Sequence, residues 1–457
     1  MEESRMGGGA VRMLRRVAAA LGALLIMIAV FADLLGLSAG GGISGNQIVL
    51  AAVGMMLMAA GILGRRFPRI YRGAALLLLN VIVLLALVEL ASIALVKVMD
   101  RERFAVMARK REVGGDAIRE WSVIVSEYVP WVLWRSTPSY PGDLVGVNGE
   151  GYRITPGASD SEDAFRVFTF GGSAMWGSCV EDSCTIPAHL QRELDGLLDR
   201  PVCISNMGQN AFTTTQEVIE LILQLRRGNV PDYVVFYDGF NDVWAAYESG
   251  IAGVHHSFDP ISSRIEGRDP FMQESPLVQL LHRTNTWTLI SILRERGILS
   301  TSEGETALRT YLTMGLDRDS LAAEVVDICF QNYSLVEHLS DAYGFDYLMA
   351  WQPVIWCGGK ELTERELSIY NGEFDSYPAG GDSALTELLR ASYRDFRLSM
   401  PDTVHYADLT GVFDEVEGDV YIDHTGVHIG RDANGIVAFE LLARMSIPDS
   451  LEEGSQE

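Results

Sequence analysis

The sequence predicts an α/β protein, with a parallel sheet of about five strands covered by helices on both faces, preceded by an N-terminal bundle of three transmembrane helices. Three observations point there: charge is segregated along the chain, apolar runs cluster at its start, and short apolar strands alternate with longer helical stretches from residue 165 onward. The 457 residues are enough for a membrane unit and one large domain. Up to Glu112 the chain holds 14 Lys+Arg and 7 Asp+Glu, and the remainder holds 22 and 54, so a balance of +7 precedes one of −32 within the total of −25. A basic, apolar front and an acidic body read as an anchor followed by a globular domain. The acidic body excludes nucleic acid as a partner, since phosphate binding needs clustered Lys and Arg.

In the front, residues 1–100, three apolar runs are expected to span the bilayer, at 17–37, 46–64 and 74–96. The first is interrupted by Asp33 and the third carries Asn80 and Glu89; a span needs roughly 20 apolar residues. A signal peptide is the alternative for the first run, but no small-x-small cleavage site stands out. Arg5, Arg12, Arg15 and Arg16 precede the first run, the loop 38–46 has no Lys or Arg, and Arg65, Arg66, Arg69 and Arg72 follow the second. By loop charge, the N-terminus is cytoplasmic and the body lies on the extracytoplasmic side of the inner membrane. Glu89 reads either as a functional intramembrane acid or as a partner within the bundle.

Residues 101–146 form a linker and edge segment, charged first and then aromatic (Tyr128, Trp131, Trp134, Tyr140). The main domain runs over 147–445. Its strands are predicted at 166–170, 202–205, 233–237, 347–351 and 403–407, and its helices at 186–198, 215–226, 321–343, 382–400 and 434–445. Such alternation implies a parallel sheet, whose sites gather beyond the carboxyl ends of the strands. Residues 245–315 break the alternation and are expected to form a capping insertion. The polar tail 446–457 reads as disordered.

The chemistry-bearing residues fall where that rule looks. Ser173 follows the first strand in Gly171-Gly172-Ser173, a turn that presents a hydroxyl. Gly208 lies after the second strand, and Asn241 after the third, in Gly239-Phe240-Asn241-Asp242. An asparagine amide there suits a developing oxyanion. Near the C-terminus, Asp423-His424-Thr425-Gly426-Val427-His428 offers histidine as general base and aspartate to orient it.

Taken together, these residues resemble the SGNH (GDSL-type) hydrolase family, whose four blocks carry Ser, Gly, Asn and His in this order. The resemblance covers roughly 147–445 and is strongest over 167–177, 206–242 and 421–438. The stretches 148–153 and 351–353 also resemble membrane-linked bacterial members. It implies a flavodoxin-like three-layer sandwich, with Ser173 as nucleophile, His428 as base, and an oxyanion hole from the Ser173 and Gly208 amides and the Asn241 side chain. Two departures stand out. The first block reads Gly-Gly-Ser rather than Gly-Asp-Ser. The family's acid sits three residues before the histidine, where this chain has Thr425, so the acid is either Asp423, five residues before, or absent. His424 is a rival base, but His428 has the better register.

The function the resemblance implies is an extracytoplasmic serine esterase removing small acyl groups, O-acetyl foremost, from a polysaccharide or cell-wall glycan. Two alternatives stand beside it. One is an acyltransferase using the same site with a partner protein of an envelope polysaccharide system, and the other a non-catalytic glycan-binding or assembly subunit. Trp176, Trp244, Trp351 and Trp356 are candidates to stack on sugar rings or, equally, ordinary core residues. Cys179 and Cys184 are close enough for a local disulfide or can remain buried thiols. No metal or organic cofactor is expected, as no ligand cluster or nucleotide fingerprint is visible.

Overall fold

A computed structural model of the chain describes residues 3–31, 45–63, 66, 73, 76–77, 80–81, 83–98, 117–121, 124–266, 281–282, 284–295, 310–372 and 383–447. The chain divides into two compact units, Met1–Arg101 with Pro270–Leu299, and Glu102–Asp269 with Ser300–Glu457.

In the first unit, the helices Glu3–Val30 and Gly45–Leu63 pack on each other, and Arg15 Nε donates to the Gly61 carbonyl at 3.2 Å. No helix among the described residues is long and apolar enough to cross a membrane. This overturns the predicted three-helix transmembrane bundle with its spans 17–37, 46–64 and 74–96. Helix length and charge explain the difference. The first helix ends at Val30 and carries Glu3, Arg5, Arg12, Arg15 and Arg16 in its first half. Its apolar part, 17–30, rises only about 21 Å at 1.5 Å per residue, against a hydrocarbon core of about 30 Å. The second helix opens on Gly45, Asn46 and Gln47, leaving an apolar stretch of about 24 Å. Residues 74–75, 78–79 and 82 of the third run lie outside the described residues.

Glu89, read either as a functional intramembrane acid or as a partner within the bundle, caps a helix. Its carboxylate accepts from the backbone amides of Asn285 (2.6 Å) and Thr286 (3.1 Å) and from their side chains (2.9 and 2.7 Å). These are orphan donors at the start of the helix Asn285–Glu295, where a negative charge also meets the positive end of the helix dipole. The loop residues 38–44, Arg65, Arg69 and Arg72, the linker residues 101–116, parts of the predicted insertion (267–280 and 296–309) and the tail from 448 lie outside the described residues.

The second unit opens with two short antiparallel pairs, β1 (Ser126–Val129) with β2 (Leu133–Ser136), and β3 (Tyr140–Pro141) with β4 (Gly146–Val147). Tyr128 and Trp131 stand out in solvent, 74% and 72% exposed, whereas Trp134 and Tyr140 are half-buried against the domain. The central sheet is parallel, with β5 (Phe165–Gly171), β6 (Val202–Asn206), β7 (Tyr233–Asp238), β8 (Asp346–Trp351) and β9 (Tyr406–Asp408) in the order β6-β5-β7-β8-β9. This is the flavodoxin-type order. Every residue of β7 is buried, which is why these strands read as continuous apolar runs rather than alternating ones. The last strand starts at Tyr406 and not at 403, because Pro401 and Thr403 are held in turns.

Parallel crossovers are right-handed, so a chain that steps one way to β6 and the other way to β7, β8 and β9 puts its helices on opposite faces. Accordingly, Ile186–Leu197 packs with Arg431–Leu442, while Thr214–Arg226, Phe240–Ser249, Arg318–Tyr343 and Ser383–Ser399 pack among themselves. The reversal falls between β5 and β7. Beside it three carboxylates are buried: Glu217, Asp238 and Asp242. Asp238 accepts from the Tyr333 hydroxyl at 3.1 Å, and Asp242 from the Thr214 hydroxyl at 2.8 Å. Burial is the largest cause in all three and raises each above the ordinary carboxylate range, Asp238 to about 8 with a further push from the Asp242 charge, and Glu217 well above its usual value with a further push from Asp238 and Asp242. Asp242, raised by burial, sits at about 6.

Candidate active site

Ser173 stands at the carboxyl end of β5, at the topological switch point, as the first residue of the short helix Ser173–Trp176. Gly171 makes the turn possible: its φ is +155°, and a Cβ there would lie 2.6 Å from the Met175 side chain and 2.8 Å from the Tyr237 carbonyl. The serine is only partly buried and its hydroxyl is in reach of a base. His428 Nε2 lies 2.7 Å from Ser173 Oγ, and His428 Nδ1 lies 2.6 Å from Asp423 Oδ2. The histidine and the aspartate are 5% and 7% exposed. It is His428, not His424, that the structure puts against the serine.

The spacing of the acid follows from the loop. Ile422 N–H donates to the His428 carbonyl at 3.0 Å, and Tyr421 pairs antiparallel with Ile429. The segment is therefore a small closed hairpin whose register sets residue 422 opposite 428, and this brings the Asp423 side chain to His428 despite the spacing of five. Thr425, in the position three before the histidine, donates its N–H (3.0 Å) and hydroxyl (2.5 Å) to Asp423 Oδ1 and steadies the carboxylate. Burial alone would favour neutral forms of both partners. The attraction between the charges outweighs it, holding Asp423 well below the usual carboxylate range and His428 well above the ordinary imidazole value.

Asn241, at the start of the helix after β7, donates from Nδ2 to the Phe212 carbonyl at 2.8 Å. An amide nitrogen carries two N–H groups, so this bond fixes the side chain and leaves one donor over. The amide is pressed on the serine turn: a Cβ at Gly172 would lie 1.9 Å from Asn241 Nδ2. Gly172→Ala keeps a backbone open to alanine, with φ at −76°, yet must displace Asn241. We expect kcat/KM for p-nitrophenyl acetate to fall about 10²–10³-fold, the loss that follows removal of an oxyanion donor, with little change in the unfolding midpoint. Wild-type activity in this variant would remove Asn241 from the site. The Gly208 amide is engaged, donating to Asn206 Oδ1 at 3.1 Å. Asn206 in turn donates to the Met175 and Trp176 carbonyls at 3.2 and 3.3 Å, tying the loop after β6 to the serine helix.

Three further residues shape the site without having been singled out from the sequence for it. Asn206 is one. Arg153, 1% exposed, pairs with Asp182 at 2.8 Å and lies over the Trp176 ring. It donates to the carbonyls of Trp176 (3.1 Å), Gly177 and Val180 (2.6 Å), clamping the loop that follows the serine helix. That loop carries the third residue, Cys179, a buried thiol with φ at +73°. Among the described residues, Cys179, Asp423 and His428 form the cluster whose ligand-type atoms all lie within 4.8 Å of one another. Neither Cys179 nor Cys184 is in a disulfide. The four tryptophans considered for sugar stacking are core residues: Trp176, Trp244, Trp351 and Trp356 are at most 5% exposed.

No family model and no curated protein sequence matches the chain. Among solved structures, the chain is similar to an acetylxylan esterase from Geobacillus stearothermophilus, at 12% identity and a TM-score of 0.29 over 66% of this chain and 100% of that one. It is also similar to a lipase from a goat rumen metagenome, at 12% identity and a TM-score of 0.33 over 62% and 97%. A third likeness is to a structure from Desulfitobacterium hafniense DCB-2 described as that of a lipolytic protein of the G-D-S-L family, at 8% identity and a TM-score of 0.32 over 62% and 99%. The chemistry of this chain rests on the distances between its own residues. A hydroxyl, an imidazole and a carboxylate in hydrogen-bonded series, with an amide donor beside them, can run acyl transfer through the serine oxygen.

Proposed function

We propose that the chain is a serine esterase that removes small acyl groups, acetyl foremost, from an acylated glycan. The observation that carries the reading is the series Ser173 Oγ, His428 and Asp423, with successive separations of 2.7 and 2.6 Å. In the first half-reaction, His428 Nε2 takes the hydroxyl proton as Ser173 Oγ bonds to the acyl carbon. Asp423 holds the Nδ1–H and stabilises the imidazolium. The oxyanion is met by the Ser173 amide and the spare N–H of Asn241; the Gly208 amide can join only by yielding its bond to Asn206. Collapse expels the sugar hydroxyl, which receives the proton from His428. Water activated by the same nitrogen then releases the acid and restores the serine.

A glycan substrate is supported by the aromatic cluster around Phe212, the residue whose carbonyl holds Asn241. Trp134, His255 and Phe258 are half-buried there. The Trp134 ring packs edge-on against both Phe212 and His255, and its Nε1 donates to the Asn210 carbonyl at 2.8 Å. Half-exposed, immobilised rings suit the apolar face of a sugar. The test is incubation of the full chain with acetylated oligosaccharides, with acetate measured directly. Release of free acetate that depends on Ser173 is the expected result. Acetate appearing only on an added acceptor sugar would make the protein a transferase, and no turnover of any acetyl ester by folded protein would overturn the reading.

A further inference from the structure

The thiol of Cys179 has no part in the reaction above, yet it is buried against the catalytic base. We infer that Cys179, Asp423 and His428 form a binding site for a soft divalent cation, zinc in the first instance, and that its occupation switches the enzyme off. Thiolate, imidazole and carboxylate are the ligand set of tetrahedral zinc. Here one of each stands with its donor atom within 4.8 Å of the others, and Ser173 Oγ, 2.7 Å from His428 Nε2, or a water completes the shell.

The thiol is held in place by construction. Cys179 adopts the left-handed backbone region, with φ at +73°, which a non-glycine residue occupies at a cost. The loop is over-determined on both sides: Gly177 and Ser178 N–H both donate to the Ser173 carbonyl at 3.0 Å, and the Arg153 guanidinium gathers the carbonyls of residues 176, 177 and 180. The same helix start thus presents the nucleophile and anchors the thiol.

Binding releases the Cys179 thiol proton and, where His428 is charged, one proton of the imidazolium as well, and the metal–sulfur and metal–nitrogen bonds form in their place. The imidazole is disabled whichever nitrogen coordinates. Bound through Nε2, it has lost the lone pair that accepts the serine proton. Bound through Nδ1, the neutral ring keeps its one proton on Nε2 and presents a donor to Ser173 where catalysis needs an acceptor. Either way Asp423 is drawn to the metal and the relay is broken.

Inhibition rests on the serine-esterase reading; binding does not, so the test has two arms, both on the full chain. In the first, cobalt(II) chloride is titrated into metal-free protein. We expect a thiolate-to-cobalt charge-transfer band in the near ultraviolet that saturates at one equivalent, persists in Cys184→Ser and is lost in Cys179→Ser. In the second, zinc chloride should abolish p-nitrophenyl acetate hydrolysis, reversibly on adding a chelator. The zinc concentration for half-inhibition should rise at least ~10–100-fold in Cys179→Ser, the loss typical when a group supporting a metal site is removed. Absence of the band from wild-type protein, its persistence in Cys179→Ser, or equal zinc sensitivity of the two proteins overturns the proposal. Should the wild type hydrolyse no ester, the function falls while the cobalt titration still decides the site.

Discussion

Replacing Ser173 by alanine is expected to lower kcat/KM for p-nitrophenyl acetate by about 10⁴–10⁶-fold while leaving the fold intact. The expectation follows from where the hydroxyl stands. It lies 2.7 Å from His428 Nε2 on a turn set by Gly171 and Gly172. Loss of the nucleophile in a triad leaves only binding and the oxyanion donors, a residual of roughly 10³–10⁴ over water. Partial exposure of the serine means that little packing is lost, so circular dichroism and the unfolding midpoint should match the wild type. A drop of less than about tenfold would remove Ser173 from the chemistry.

Asp423→Asn should cost about 10⁴-fold in kcat, because an amide no longer fixes the proton on His428 Nδ1 or balances the imidazolium. The pH profile provides a separate check. The neutral imidazole is the active form, so kcat/KM rises with pH through the pKa of His428 in the free enzyme. Asp423 raises that pKa, placing the acidic limb of the wild type above the ~6.5 of an unperturbed imidazole. Removing the carboxylate charge takes away the largest raising influence and leaves burial opposed only by the smaller contribution of Cys179, so the limb moves to lower pH in the variant. Thr425 Oγ1, 3.3 Å from Nδ1, offers a weaker acceptor and sets the residual rate. A limb that stays in place, or a rate within about tenfold of wild type, would show that the 2.6 Å contact is structural only.

How much of this was legible in the sequence differs from element to element. The five sheet strands could be read because burial on both faces makes them uninterrupted apolar runs, and β7 is the clearest case. Ser173, His428, Asp423 and Asn241 could be named because each follows a strand end or lies in the loop before the last helix. The placement of Asp423 could not be decided, since a five-residue spacing works only inside the hairpin closed by Ile422 and His428, and such closure is a backbone hydrogen bond with no side-chain signature. Cys179 was visible only as a disulfide candidate with Cys184, because its place beside His428 depends on a left-handed backbone in a loop clamped by Arg153, more than twenty residues earlier. The spans failed for a different reason. An apolar run measures composition, whereas crossing a bilayer requires unbroken helix, and the helix beginning at Glu3 stops at Val30. The four tryptophans show the converse limit, in that a large ring reads alike whether it faces a ligand or the core.

The three buried carboxylates beside the switch point make folding a proton-coupled event. In the unfolded chain, Asp and Glu titrate near 4; in the folded one, Asp242 and Asp238 are raised to about 6 and about 8, and Glu217 is raised well above its usual value. At neutral pH the native state therefore holds protons that the unfolded chain has given up, and folding draws them from solution. The sign follows directly: below about pH 4 both states are protonated and the cluster costs nothing, whereas between there and the raised values each step up in pH favours the state that binds fewer protons, the unfolded one. The formal charge of −25 accordingly overstates what the folded molecule carries. A chain this acidic keeps part of its charge neutralised in its own interior, and alkali, by withdrawing those protons, loads the core beside the switch point with buried negative charge.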